Sequence, residues 1–126
     1  MTCVGGGGIP VVPHEDGGLR GVEAVIDKDL GAGLLATELG ADALVLLTDV
    51  DAVYEGWGDE TAQPVGPTTV AELRKLVVTA GSMGPKVEAL CRFVEAGGRL
   101  GAIGTLADAA ALVRGEAGTV VRGRAR

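Results

Sequence analysis

Aromatic side chains are almost missing: Tyr54, Trp57 and Phe93 make up 2% of the 126 residues. A stacking platform for single-stranded nucleic acid is thereby excluded, and the core falls to Val, Leu, Ala and Ile. Basic residues are also scarce, with 11 Lys and Arg against 17 Asp and Glu and a formal charge of −6. The electrostatic footprint of phosphate-backbone binding is absent, so nucleic acid is not an expected partner, although a small anion can still be held locally. The two cysteines, Cys3 and Cys91, form neither a disulfide framework nor a metal-ligand spacing and fit a reducing cytoplasm. The single histidine, His14, has no partners for a catalytic triad or a zinc site and reads as a surface residue. No apolar run approaches ~18 residues and no basic start leads into an apolar stretch, so neither a membrane span nor a signal peptide is expected. The length is that of one domain, which leaves no room for a two-domain enzyme with a closed cleft between its halves.

What is present is ample for a packed core: 47% of the residues are hydrophobic. Residues 22–26 are mostly β-branched and read as a strand. A helix-like stretch follows Asp27-Lys28-Asp29 to about Leu39, apolar on most sides and so expected to be buried. Ala43-Leu44-Val45-Leu46-Leu47 is an unbroken apolar run closed by Thr48 and Asp49, the pattern of a strand buried on both faces of a parallel sheet. Residues 51–67 carry turn formers without periodicity and read as a long surface loop. A helix opens at Thr69, with Glu72 completing a capping box and Val70, Leu73, Leu76 and Val77 on one face. Another starts near Pro85, with Met83, Val87, Leu90, Cys91 and Val94 in register and Glu88, Arg92 and Glu95 opposite. Leu100 to Ile103 is a short strand, Thr105 caps a helix through Val113, and Thr119 to Val121 is a last strand. The alternation favours an α/β three-layer sandwich, with helices on both faces of a mostly parallel sheet.

Three features could carry chemistry. The run Gly5-Gly6-Gly7-Gly8 sits after a strand-like start of only four residues; it suits close approach of a ligand to backbone, or else is a permissive surface turn. It matches neither the dinucleotide fingerprint nor the P-loop. Lys28 and Lys86 each lie at the start of a helix, where a cation opposes the macrodipole unless an anion occupies the space. Two such lysines suggest a polyphosphate. The alternatives are an ion pair of Lys28 with Asp27 or Asp29, with Asp29 as N-cap, and for Lys86 a solvated first-turn lysine. Finally, Thr48-Asp49-Val50-Asp51 closes the central strand, where open α/β sheets bind ligands. These carboxylates could hold a ribose hydroxyl or, through water, a Mg²⁺ ion, or simply cap a helix or form a turn. Asp108 and Glu116 read as solvated charges or caps.

The residues resemble the carbamate kinases of the amino-acid kinase superfamily from Cys3 to Val121. The likeness is carried in order by VGGGGIPVV (4–12), GVEAVIDKDL (21–30), ELGADALVLLTDVDAVY (38–54), AGSMGPKVEA (80–89), RFVEAGG (92–98) and AIGTLADAAALVRGEAGT (102–119). It implies the amino-acid kinase fold, homodimers, and reversible phosphoryl transfer between ATP and carbamate. In the cytoplasm this runs as carbamoyl phosphate plus ADP giving ATP in arginine breakdown, with Mg²⁺ on the nucleotide. By the same resemblance Lys28 and Lys86 contact the transferred phosphoryl group and Asp29 orients them. Thr48, Asp49, Asp51, Val53 and Tyr54 match the nucleotide pocket, Ser82, Met83, Gly84 and Pro85 its phosphate side, and Gly5, Gly6, Gly7 and Gly8 one edge of the acyl-phosphate site. Family chains are much longer, so this one resembles their C-terminal, nucleotide-holding half. A first half with a Gly-Gly-Asn loop and a lobe bearing a further lysine has no counterpart here, and a complementing half is an implied partner. Val77-Val78-Thr79 replaces the usual Phe-Ala-Ala approach to Ala80.

Overall fold

A computed structural model describes residues 3, 5, 6, 8–76 and 83–123. Its centre is a four-stranded sheet ordered β3-β7-β8-β6, built from β3 (Ala43–Thr48), β7 (Leu100–Thr105), β8 (Thr119–Arg122) and β6 (Pro67–Thr68). β3 and β7 run parallel in the register Ala43 to Leu100 through Thr48 to Thr105, β8 is antiparallel to β7, and β6 is parallel to β8.

Alternation along the strands separates two cores. Leu44, Leu46, Ile103 and Val121 face one way, onto a cluster with Leu73, Val87, Leu90 and Phe93, while Leu100, Ala102 and Val120 face the other way onto Leu112. The first cluster is supplied by α2 (Val70–Leu76) and α3 (Gly84–Glu95), with α1 (Lys28–Glu38) packed on α3; the second is covered by α4 (Ala109–Arg114). The three layers expected from the sequence are therefore present. α3 shows the expected division: Val87, Leu90, Cys91 and Val94 are buried, and Glu88 and Glu95 lie on the other side, bonded to Arg74 of α2. The capping box of α2 is closed in both directions, Thr69 N–H to Glu72 Oε2 and Glu72 N–H to Thr69 Oγ1, each 3.2 Å. Val77, in the same expected stripe, lies outside the described residues.

Several expectations are corrected. Residues 22–26 form no strand: no neighbour offers them a ladder, and Val25 is 92% exposed. Strand propensity needs a partner to act on. The pairing lies upstream instead, where β1 (Val11–Pro13) and β2 (Leu19–Gly21) form an exposed antiparallel hairpin. The loop over 51–67 contains a second hairpin, β4 (Val53–Glu55) with β5 (Gln63–Val65). α1 buries only Asp29 and Gly33, and Leu34 and Leu39 are exposed. Among the described residues β3 is a sheet edge: Leu44 and Leu46 are buried on one face, Ala43 and Val45 are half-buried against the second core on the other, and Leu47 is 42% exposed. The helix expected from Thr105 begins as a 3-10 turn, Leu106–Asp108, before α4; the Thr105 hydroxyl donates to the Asp108 carboxylate and accepts no capping backbone N–H.

Candidate functional site

The topology decides where the helix starts lie. α1 leads into β3 and α3 into β7, each returning antiparallel to its strand, so both N-termini stand at the carboxyl end of the parallel pair. Asp27, not Asp29, is the N-cap of α1: its Oδ1 accepts from Asp29 N–H at 2.8 Å and Leu30 N–H at 3.0 Å. Asp29 is thereby freed to point across to α3. Its Oδ2 accepts from Lys28 Nζ at 3.1 Å and from Lys86 Nζ at 3.0 Å. The Asp29 and Lys86 side chains are 12% and 14% exposed, whereas Lys28 is 62% exposed, so the interhelical pair carries more energy than the local one.

Close helix packing makes this contact possible. Gly33 lies one turn beyond Asp29, and a Cβ there would sit 3.2 Å from the Ala89 carbonyl oxygen and 3.4 Å from its Cβ. A glycine facing an alanine lets the two helices converge.

Burial works to raise the pKa of the Asp29 carboxyl, but hydrogen bonds from Lys86 and Lys28, aided by their charge, outweigh it and hold the group below its ordinary value. Asp29 in turn raises Lys28, through the hydrogen bond first and its charge second. Asp29 and the capping Asp27 together balance the two ammonium charges, so the positive potential here comes from the helix starts. The start of α3 has no side-chain cap and no acidic residue in its first turn.

The remaining predicted residues divide. Thr48 and Asp49 end β3 at this same edge, joined by Thr48 Oγ1 donating to Asp49 Oδ1 at 3.0 Å. Tyr54 Oη donates to Asp51 Oδ1 at 2.8 Å, and its ring meets Trp57 edge-on with centroids 5.5 Å apart. The Asp51 carboxylate and, less strongly, burial raise the Tyr54 hydroxyl's pKa. Val53 is buried in the main core. Met83 packs against that core and Gly84 and Pro85 open α3, while Ser82 lies outside the described residues. The glycine run is not drawn into the cluster. Gly5, Gly6 and Gly8 are exposed with open space where a Cβ would stand, Gly5 N–H turns back to Cys3 C=O, and Gly7 lies outside the described residues. Sequence reasoning missed Thr119 as more than a strand residue; its one signal was a hydroxyl opening an otherwise apolar strand. An open cavity of about 880 Å³, lined in part by Asp42, Arg99 and Arg122, lies at the opposite end of β3 and β7 and does not coincide with the lysine cluster.

The sequence pattern of the Amino acid kinase family matches residues 3–104. The chain belongs to that family. Among curated relatives, the carbamate kinase of Rhizobium meliloti is 52% identical over 124 residues, which cover 96% of this chain and 38% of the relative. The carbamate kinase of Pyrococcus furiosus is 47% identical, with 96% of this chain and 40% of the relative covered. Among solved structures, carbamate kinase from Giardia lamblia bound to AMP-PNP superposes with a TM-score of 0.85 at 36% identity, covering 94% of this chain and 43% of that one. This member of the amino acid kinase family thus spans about two fifths of the length of the carbamate kinases it resembles, and its fold is theirs over that span.

Proposed function

We propose that this chain is the C-terminal, nucleotide-holding half of a carbamate kinase-type phosphotransferase, acting in ATP + carbamate = ADP + carbamoyl phosphate, in the cytoplasm and in arginine breakdown. The observation that carries the reading is the Lys28–Asp29–Lys86 cluster at two helix N-termini. Phosphoryl transfer asks a protein mainly to position reactants and to neutralise charge spreading over the transferred oxygens. Lys86 and Lys28 supply that charge, and Asp29 keeps both amines in place so that little reorganisation is needed when the anion arrives. The uncapped first turn of α3 offers the backbone N–H groups of Gly84, Lys86 and Val87 to the phosphates, while Pro85, which has none, fixes the start of the helix just after Met83; by the family resemblance Ser82 belongs to the same phosphate side. Thr48, Asp49, Asp51, Val53 and Tyr54 line the nucleoside side, and the Gly5 to Gly8 run borders the acyl-phosphate end.

Mg²⁺, when bound, would neutralise phosphate charge. Among the described residues no group of three His, Cys, Asp or Glu side chains could hold a metal ion. Asp49 or Asp51 would reach an ion carried on the nucleotide through water.

The span of two fifths of the relatives favours a second reading, in which the chain binds ADP or ATP without turnover. Titration calorimetry with ADP-Mg²⁺ tests the site common to both. Lys86→Ala is expected to weaken binding at least tenfold, since a charge-assisted hydrogen bond is worth about 1.5–3 kcal/mol. Equal affinity in the two proteins overturns the phosphate cradle. Formation of ATP from carbamoyl phosphate and ADP separates the readings: turnover supports the enzyme, and binding without turnover the second reading.

A further inference from the structure

Among the described residues two polar side chains are buried, Asp29 and Thr119. Asp29 belongs to the lysine cluster; Thr119 does not, and its neighbours Val120 and Val121 show what the strand otherwise selects. A valine would occupy the same volume without burying a hydroxyl, so the hydroxyl must do something a methyl group cannot.

Its two bonds say what. Thr119 Oγ1 accepts from Val53 N–H at 2.8 Å and donates to Val65 C=O at 2.5 Å. Val53 and Val65 face each other at the base of the β4–β5 hairpin, which is a sheet of its own, separate in its strand ladder from the four-stranded sheet. One hydroxyl of β8 thus relays between both strands of the hairpin and ties them to the central sheet. Thr119 is itself held in place from the residue before: Gly118 has φ +69°, and a Cβ there would stand 2.2 Å from the Ile103 carbonyl oxygen. Beyond Val53, whose side chain is anchored in the core, the next residue is Tyr54, fixed through Asp51 and set edge-on to Trp57.

We infer that Thr119 is a positioning residue that sets the β4–β5 hairpin, and so Tyr54 and Trp57, for the nucleotide. This rests on the reading of Val53 and Tyr54 as nucleotide-side residues; Thr119 is fully buried and acts only through them.

Thr119→Val removes both bonds at constant volume, and Thr119→Ser restores the hydroxyl. Three readouts apply: amide exchange at Val53, acrylamide quenching of Trp57, the sole tryptophan, and calorimetric titration with ADP-Mg²⁺. With both variants folded by circular dichroism, Thr119→Val is expected to speed Val53 exchange about tenfold, the equivalent of one lost hydrogen bond. It should also loosen the Tyr54–Trp57 contact, raising the quenching of the already exposed Trp57 further, and weaken ADP several-fold, with Thr119→Ser returning all three toward wild type. Unchanged exchange and quenching in Thr119→Val overturn the clasp, and a loosened hairpin with undiminished ADP affinity overturns the positioning role. A wild-type chain that takes no ADP overturns instead the nucleotide reading, leaving the exchange result to judge the clasp. Should Thr119→Val not fold, the wild-type protein still decides: a Val53 amide that exchanges as fast as that of exposed Trp57 sinks the inference.

Discussion

Asp29 makes the site sensitive to acid, with a sign that follows from its partners. Its carboxyl is held below the ordinary value of 3.8, so on acidification the unfolded chain takes up this proton before the folded one does. The stabilisation is therefore complete above that ordinary value and is lost as pH falls through the depressed one. Asp29→Asn leaves the largely buried Lys86 ammonium without its ion-pair partner and is expected to destabilise the protein by about 1–3 kcal/mol at pH 7. The gap between wild type and variant should narrow as pH drops below 4, because wild type is then losing the same charge. Urea denaturation of both proteins from pH 7 to pH 3 measures this, and a constant gap would show that the carboxylate is not what holds the lysines. The sequence reading reached Lys28 and Lys86 by residue type and helix position, and Asp29 as the carboxylate that orients them only through the family resemblance. It could not tell whether a lysine at a helix start is paired, because the pairing partner of Lys86 lies 57 residues away. It also misassigned the N-cap, since Asp27 and Asp29 are equally good capping residues and only the path of the preceding chain chooses between them.

At the level of elements, the approach of α1 to α3 turns those residues into a cluster. Gly33 costs α1 about 1 kcal/mol of helix propensity relative to Ala, a loss that makes sense where the backbone of α3 comes close. Gly33→Ala regains the propensity while asking Ala89 to give by a few tenths of an ångström, and the two effects are expected nearly to cancel. Gly33→Leu cannot be accommodated that way. It should separate the first turns, break the Asp29–Lys86 bond and lower stability by about 1–3 kcal/mol, as overpacking generally does. Thermal melts of the three proteins check the order, and a Gly33→Leu variant as stable as wild type would show that the helices do not meet there. Elements with a strong internal period, α2, α3 and β7, were legible from sequence because one buried stripe or one apolar run defines each. The β4–β5 hairpin was not. Its three-residue strands carry Pro64 and a turn with Gly56 and Gly58, and its attachment depends on a distant hydroxyl that no local pattern reports.

On the scale of the whole molecule, the least balanced feature is the free edge of β3. Residues Ala43 to Thr48 contain no charge, no proline and no bulge, the devices by which edge strands discourage pairing with another chain. The apolar run reads as an interior strand because its composition is that of one. The sheet that contains it places no described strand beyond it. Leu47 is exposed on this edge strand, and Leu34 of α1 and Leu39 at its C-cap are exposed as well, so backbone donors and apolar surface are offered together. A net charge of −6 opposes association at long range, but salt screens it over roughly 10 Å at 0.1 M ionic strength, and none of that charge sits within the strand. The isolated 126-residue protein is therefore expected to associate increasingly with concentration and with salt. Leu47→Lys, which places a guard charge on the edge without touching Leu44 or Leu46, should shift it toward monomer while leaving the melting temperature within a few degrees of wild type. Sedimentation velocity across a concentration series, at low and moderate salt, reads both effects. Association unchanged by Leu47→Lys would move the sticky surface away from β3.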